Sequence, residues 1–486
     1  MGVLRVGRRV ALARSVGGAA TRPSPVVQAL TLELCVLVVS AVVVALLSPA
    51  TTARAQRASG PAMRDVASNT ADFASSTIDT REWGSWIGEL QMMSQGLAEH
   101  GVRPALIYDA EGFADMSGGA RRGATYLDNL NLQLTLDMRR LVGWPGATVF
   151  LYGLGIHGGH PSQFAGDAQG VSSIEAPRKW TLEEAWLEQN LFGNRFSALV
   201  GRYDLNTEFY RVHTADLFLN ASFGMGPEFS QSGKSGPSVF PNTSVGGRFE
   251  VKPIEGLVLR SAVLDGVPVE RRTGWDVFAK GDGLLIVGEA AFLYRPPPDG
   301  QPRQPPHRFR LGREAQLPPY EAKLAIGVWH YTASFQDLSR TQGDGTPVTH
   351  HGSTGAYMIG DAIVYRDDVG RQLRVFGQVG LGDPRVNRFG LYTGGGVTLT
   401  GAIPGRQKDQ IGFGVAAAHN GSHFTDQQRQ AGQRVDRVET TLELTYLAPI
   451  TSWLSIQPDL QYVFNPNTDP RMPNALVGLI RIELAF

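Results

Sequence analysis

The chain has 486 residues with 45 basic and 45 acidic side chains, a single cysteine, 58 glycines and a mean hydropathy of −0.13. That polarity excludes a bundle of transmembrane helices but not a membrane barrel, whose lumen and loops are polar. The absence of any basic block or stripe argues against a nucleic-acid surface. Glycine at about 12 % of the chain, against about 7 % on average, suits turns and tight bends of a sheet.

The N-terminus reads as an export address. Arg5, Arg8, Arg9, Arg14 and Arg22 precede an apolar run from Val36 to Leu47 broken only by Ser40, and Ala53-Arg54-Ala55 follows. A basic region, an apolar core too short for a spanning helix and an A-x-A site make a secretory signal peptide, here residues 1–55. The long basic region equally fits a true start codon further downstream. Cys35 lies inside this leader, so a mature chain beginning at Gln56 has no cysteine. Disulfides, thiolate metal sites and cysteine nucleophiles are thereby excluded. The mature chain keeps 39 basic and 44 acidic residues, a net charge of −5.

Residues 56–103 form a segment ahead of any strand pattern. Within it, residues 82–100 place Trp86, Leu90, Met93 and Leu97 three or four apart, which predicts a short helix closed by Gly101 and Pro104. A helix packed against the periplasmic mouth of a barrel is the expectation.

Residues 104–486 predict sixteen strands, beginning near Ala105, Tyr126, Gly146, Leu182, Arg195, Val245, Leu257, Leu284, Ala322, Gly355, Leu373, Phe389, Gln410, Arg437, Trp453 and Ala475. In the second, Leu130, Leu132, Leu134 and Leu136 oppose Asn131, Gln133, Thr135 and Asp137. In the sixth, Gly246, Arg248, Glu250 and Lys252 oppose Val245, Gly247, Phe249 and Val251. An Arg or Lys facing lipid at the midplane costs about 2–4 kcal/mol, so these charges are expected to face a lumen.

Two insertions stand out. Residues 205–243 carry aromatic patches followed by Gly, Ser and Pro; a long loop with its own apolar residues is expected to fold into the lumen and narrow it. Residues 296–320 are rich in Pro, Arg and Gln and read as an external loop.

The last three strands show the pattern best. Leu476, Gly478, Ile480, Ile482, Leu484 and the terminal Phe486 fall on one face, and Arg481 and Glu483 on the other. Residues 454–464 and 437–446 repeat it, with Pro458 expected at a rim or bulge because it removes a ladder hydrogen bond. Strands of about ten residues, apolar outward and polar inward, with aromatic residues near their ends, define an all-β, sixteen-stranded antiparallel outer-membrane β-barrel with a short N-terminal helical segment.

Several motifs then resemble the OprB family of carbohydrate-selective porins. They are Tyr108-Asp109, Gly143-Trp144-Pro145-Gly146-Ala147, Leu187-Glu188-Gln189, Gly201-Arg202-Tyr203-Asp204, Glu208-Phe209, Phe218-Leu219-Asn220, and Trp453 to Tyr462 followed by Asn465-Pro466. The resemblance spans nearly all of the mature chain in one order. It implies a Gram-negative outer-membrane porin, surrounded by lipid and lipopolysaccharide, through which sugars diffuse past an eyelet of charged and aromatic residues.

A neutral sugar needs strong acceptors and donors for its hydroxyls and an aromatic plate for its C–H face. Glu184, Trp186 and Glu188 share one face of the fourth strand, and Arg202 and Asp204 share one face of the fifth, which follows after a short turn at Gly193-Asn194. Glu188, Arg202 and Trp186 are therefore the expected eyelet contacts, with Asp204, Arg248 and Glu250 as outer members. A wall ion pair between Glu188 and Arg202 that only shapes the barrel is the competing reading.

Alternatives are a non-selective porin, or a structural or enzymatic barrel. Ser334 and Ser422-His423 lack a nucleophile motif, and His157, His160, His350 and His351 read as solvated loop histidines rather than metal ligands. No catalytic residue, metal or cofactor is expected. Monomer and homotrimer both stay open.

Overall fold

The computed structural model describes residues 94, 96–268, 278–279, 281–294 and 320–486. The expected signal peptide, residues 56–93 and the proline-rich segment up to residue 319 lie outside the described residues. Of the expected N-terminal helix, residues 94 and 96–100 are described; 94 and 96–99 are helical and His100 lies in a turn.

Sixteen antiparallel strands close into one barrel. They are β1 (Val102–Ser117), β2 (Gly123–Asp137), β3 (Ala147–Gly158), β4 (Lys179–Leu191), β5 (Phe196–Tyr203), β6 (Ser244–Val251), β7 (Leu257–Asp265) and β8 (Leu284–Tyr294). The second half comprises β9 (Ala322–Thr341), β10 (Pro347–Arg366), β11 (Gln372–Leu381), β12 (Phe389–Thr400), β13 (Gln410–Asn420), β14 (Val438–Pro449), β15 (Leu454–Phe464) and β16 (Ala475–Ala485). Among the described residues, four short α-helices sit in the connections: α1 (Met138–Val142), α2 (Ser162–Ala165), α3 (Pro227–Ser230) and α4 (Ser422–Gln430). Among the described residues, no helix is long and apolar enough to cross a membrane; the strands do the crossing.

Each strand pairs with its neighbours in sequence, and β1 with β16. The seam is sealed at its end by two backbone bonds, Leu106 N–H to Phe486 O at 3.0 Å and Phe486 N–H to Leu106 O at 2.8 Å. The Phe486 ring stacks on Trp453 at 6.1 Å. Closure leaves no unpaired edge, the condition for a sheet to sit in lipid.

Period two decides what faces where. In β2, Leu132 is exposed outward while Asn129 and Asn131 are fully covered inward. In β9, Leu324, Ile326 and Val328 are about half exposed, and Lys323, Ala325 and Trp329 face in. The strand starts agree with the sequence expectation to within a few residues, except that β10 begins at Pro347 rather than near Gly355.

That difference marks a long hairpin. β9 and β10 have 20 residues each, about twice the length needed to cross. Their last rungs to the flanking strands are Tyr331 with Leu285 and Ala356 with Leu381, so the hairpin tip rises above its neighbours.

Three expectations need correction. Pro458 lies mid-strand and causes no bulge: Thr445 pairs Asp459 and Ala448 pairs Ile456 in unbroken register, with only the rungs nearest the proline missing. The proline cannot donate, yet its neighbours hold the register. Second, Tyr294 and Ala322, the strand ends that flank the proline-rich segment, pair at the barrel end that also holds Val102 and Phe486; the segment itself lies outside the described residues. The described turns at this end are short, the periplasmic signature, so β8 and β9 meet at the end opposite to the one an external loop requires. Third, His157, His350 and His351 lie in strands, not loops.

Candidate functional site

The loop between β5 and β6, residues 204–243, turns into the lumen as expected. Asp204 sets both of its ends. Its carboxylate accepts the Asn206 amide at 2.8 Å and the Phe240 amide at 3.2 Å, and its own N–H donates to Glu184 at 3.3 Å. Asp204 is thus a staple of the loop, not a group presented to solute.

Inside the barrel this loop has no sheet to satisfy its backbone, and buried amides and carbonyls need partners. The wall supplies them. Glu289 accepts the Tyr210 amide at 3.0 Å, Asp361 the Thr214 amide at 3.2 Å, and Glu443 the amides of Leu219 and Asn220, the latter at 3.0 Å. Lys323 donates to Arg211 O at 2.8 Å, Gln457 to Leu217 O at 2.6 Å and Gln378 to Phe223 O at 2.9 Å.

The loop's apolar side chains are seated on a wall stripped of bulk. On β13, a Cβ at Gly412 would meet Leu217 at 2.7 Å and one at Gly414 would meet Phe223 at 2.7 Å. Further round, Phe229 stacks on Trp329 at 4.9 Å with an interplanar angle of 5°, and Tyr210 meets Tyr357 at 4.5 Å. Within the loop, the Glu228 carboxyl accepts the Tyr210 hydroxyl at 2.9 Å, and burial pushes it up to about 7.

A second inward loop, residues 159–178 between β3 and β4, was not expected. Glu439 accepts the Ala168 and Gln169 amides at 2.8 and 3.0 Å. Ser172 donates to Glu111 at 2.6 Å, and Arg481 to Ser173 at 3.0 Å. The two loops also bond each other, Ser173 N–H to Leu219 O at 2.7 Å and Ala221 N–H to Gly170 O at 2.8 Å. The available sequence signal was a 20-residue connection holding Val171 and Ile174, both of which are buried.

The expected site residues divide. Arg248 donates to Glu188 at 2.8 Å and to Glu208 of the loop at 3.0 Å, and Ser197 also donates to Glu188. Glu250 accepts from Arg260 at 2.7 Å, and Arg260 reaches Glu289 at 3.3 Å. Trp186 faces inward but is only 3 % exposed, its ring 5.1 Å from Phe150 and its N–H bonded to Glu184 at 3.0 Å. Its ring therefore packs in the wall rather than forming an open plate.

Arg202 is a correction. It pairs with Ala185 and Val245 on the outward face, whereas Trp186 and Glu188 pair with Gly201 and Leu199 on the inward one. Its guanidinium bonds Thr243 at 2.8 Å. The Glu188–Arg202 ion pair is replaced by Glu188–Arg248. A bulge sets this geometry: β4 carries one extra residue opposite Tyr152 and Gly153. Trp180 and Leu182 before it face out, and Glu184, Trp186 and Glu188 after it face in.

Reading onward round the wall, inward charges alternate in sign from Glu188 through Arg248, Glu250, Arg260 and Glu289 to Lys323, Asp361 and Arg374; Lys323 and Asp361 are cross-strand partners, and Asp361 lies 3.7 Å from Arg374. Arg260, Glu289, Lys323, Asp361 and Arg374 were legible by the same parity that singled out Arg248. The opposite wall carries Asp109, Glu111, Glu443 and Asp459 against Arg481. Among the described residues, no group of three or more His, Cys, Asp or Glu side chains is arranged to hold a metal.

Comparison with known proteins follows this geometry. Residues 121–486 match the family described as carbohydrate-selective porin, OprB family. Porin B of Pseudomonas aeruginosa is 26 % identical over 441 residues, covering 83 % of this chain and 90 % of that protein. The high-pH structure of Pseudomonas putida OprB superposes with a TM-score of 0.68 at 22 % identity, covering 83 % of this chain and 97 % of the other. The low-pH structure of the same protein gives 0.51 at 18 % identity, covering 82 % and 97 %.

Proposed function

This chain belongs to the OprB family of carbohydrate-selective porins, an outer-membrane barrel for solute diffusion, and on that premise we propose that its solutes are monosaccharides and similarly small polyhydroxylated molecules. They move down their gradient without turnover or cofactor. Export by the residue 1–55 leader, a barrel domain of residues 104–486 and contact with lipopolysaccharide complete the reading.

The observation that carries it is the run of alternating charges from Glu188 to Arg374 beside an inward loop. A hydroxyl both donates and accepts, so a sugar can exchange with a carboxylate and a guanidinium in turn. A wall of balanced sign offers a simple ion no such sequence of partners. Weak, repeated contacts suit conduction, since tight binding stalls exit. Arg260, whose side chain is 16 % exposed, is the member of this run proposed to meet solute directly, while Glu188, Arg248, Glu250 and Glu289 are buried and hold it and the loop in position.

Liposome swelling with purified protein tests the proposal, comparing glucose, a disaccharide and gluconate. Fast glucose entry with slow entry of the other two supports it. Equal rates would leave a non-selective porin, and no swelling would sink the open pore.

A further inference from the structure

The six described connections at the periplasmic end share a feature that strand pairing does not explain. Tight turns are ordinarily built from Gly, Pro, Asn, Asp and Ser. Each of these connections also holds a large apolar residue open to the surroundings: Val142, Phe192, Ile254, Val369, Ile403 and Ile450, from 37 % exposed at Ile403 to 80 % at Phe192. Isolated apolar residues are common on protein surfaces, so it is their distribution that needs a cause. Among the described residues, ten large apolar side chains outside the strands are exposed; nine are at the periplasmic end and only Phe278 is at the other. The contrast is sharpest with the β9–β10 tip, Gln342-Gly343-Asp344-Gly345-Thr346, which rises above its neighbours without an apolar side chain.

The arrangement decides what covers these residues. They follow one another around the closed strand order instead of gathering on one sector, whereas a protein partner is met by a contiguous apolar patch. The chain's own segment before β1 meets the β2–β3 connection, where Arg140 Nη1 donates to Ala98 O at 2.8 Å and to Glu99 O at 3.3 Å. A contact at that one sector leaves the other five uncovered. The tips also continue the lipid-facing rows: Leu191 runs into Phe192, Val251 leads to Ile254 and Tyr365 to Val369, and all three row residues are exposed on the outer face. Exposed charges flank the tips, Arg195 after Phe192, Glu255 after Ile254 and Arg371 after Val369. An apolar side chain beside a charge that reaches water is the make-up of a segment lying in a membrane interface.

From this ring we propose that the periplasmic turns are seated in the phospholipid leaflet of the membrane. Their apolar tips lie at the boundary between headgroups and acyl chains and their charges among the headgroups, so that the rim anchors the barrel and sets its depth. A lipid surface surrounds the barrel on every side and so reaches all six connections at once. The polar β9–β10 tip marks the end that stands in water. The inference rests on the chain's place as an outer-membrane barrel and is independent of which solute passes through it.

Spin labelling of the full chain tests the proposal, since Cys35→Ser alone gives a cysteine-free background. Nitroxides are placed at Phe192→Cys and Val369→Cys, with Asp344→Cys as the water reference, in vesicles of phosphatidylethanolamine and phosphatidylglycerol. Their collisions are measured with oxygen, which concentrates in lipid, and with a nickel chelate, which stays in water. Expected is an oxygen-to-nickel ratio severalfold higher at positions 192 and 369 than at position 344, with the melting temperature of each labelled barrel as the folding control. A ratio at either turn no higher than at position 344 would place that turn in water and overturn the ring. Low collision rates with both reagents would reveal a protein cover, whether the chain's own N-terminal segment or a second copy, and would overturn the assignment to lipid.

Discussion

Phe223 of the inward loop fills the space in front of Gly414 on β13, where a Cβ would lie 2.7 Å from its ring. Phe218 comes to 2.8 Å of the same point, so the two rings share one glycine hollow. Gly414→Val places two methyl groups in that hollow. Overpacking of this kind costs about 1–3 kcal/mol, and here the loop can yield where the barrel cannot. Single-channel conductance is expected to rise, with the melting temperature of the barrel little changed. An unchanged conductance would mean that the loop does not narrow the pathway.

Glu443 holds the same stretch from the other side through the Leu219 and Asn220 amides. Glu443→Gln keeps the shape but replaces one acceptor oxygen by a donor, which then faces an N–H. Losing a hydrogen bond to a charged group costs about 1.5–3 kcal/mol. Amides of residues 217–223 should exchange faster by one to two orders of magnitude on that estimate. Native-like exchange in the variant would show that the apolar seat alone fixes the loop.

Much of this architecture was legible as alternation, and what was not has two causes. Polarity marks the lumen face only where water fills the lumen. On β5 the inward residues are Ser197, Leu199, Gly201 and Tyr203, because the inward loop covers them; the outward row then holds Arg202, and apolar-means-lipid points the wrong way. On β12 and β13 the inward row holds Gly394, Gly396, Gly412 and Gly414 beside Thr398, Thr400 and Gln410, so the polarity signal is interrupted where the loop sits. The bulge at Glu183 was hidden for another reason: pairing register, not composition, decides where a strand takes an extra residue. The inward facing of Glu188, Arg248 and Glu250 was legible because their stretch of wall keeps charge inward.

Arg248 and Arg202 should therefore behave differently on truncation. Arg248 is 1 % exposed and serves both Glu188 and Glu208. Arg248→Met leaves two buried carboxylates without their cation, a loss of about 3–5 kcal/mol where one partner of a buried pair is removed. The expected result is a lower melting temperature together with altered glucose entry. Arg202→Ala removes an outward contact to Thr243 and should leave glucose entry unchanged. A selectivity change in Arg202→Ala with none in Arg248→Met would reverse the assignment of the two arginines.

Glu228 makes the seating of the inward loop depend on pH. Its carboxyl is buried, bonded to the Tyr210 hydroxyl at 2.9 Å, and burial raises it from 4.5 to about 7. A folded-state value above the unfolded one means that the seated loop binds the proton more tightly than the released loop. Seating is therefore strongest below about pH 4.5, weakens as the pH rises to about 7, and is level above that. The full span amounts to about 3 kcal/mol. Glu228→Gln, neutral at every pH, should flatten the profile and strengthen seating at about pH 8 relative to the native chain. Exchange of the Tyr210 and Phe229 amides across that range reads it directly. If the native and Glu228→Gln profiles coincide, the carboxyl is not the group that titrates with the loop.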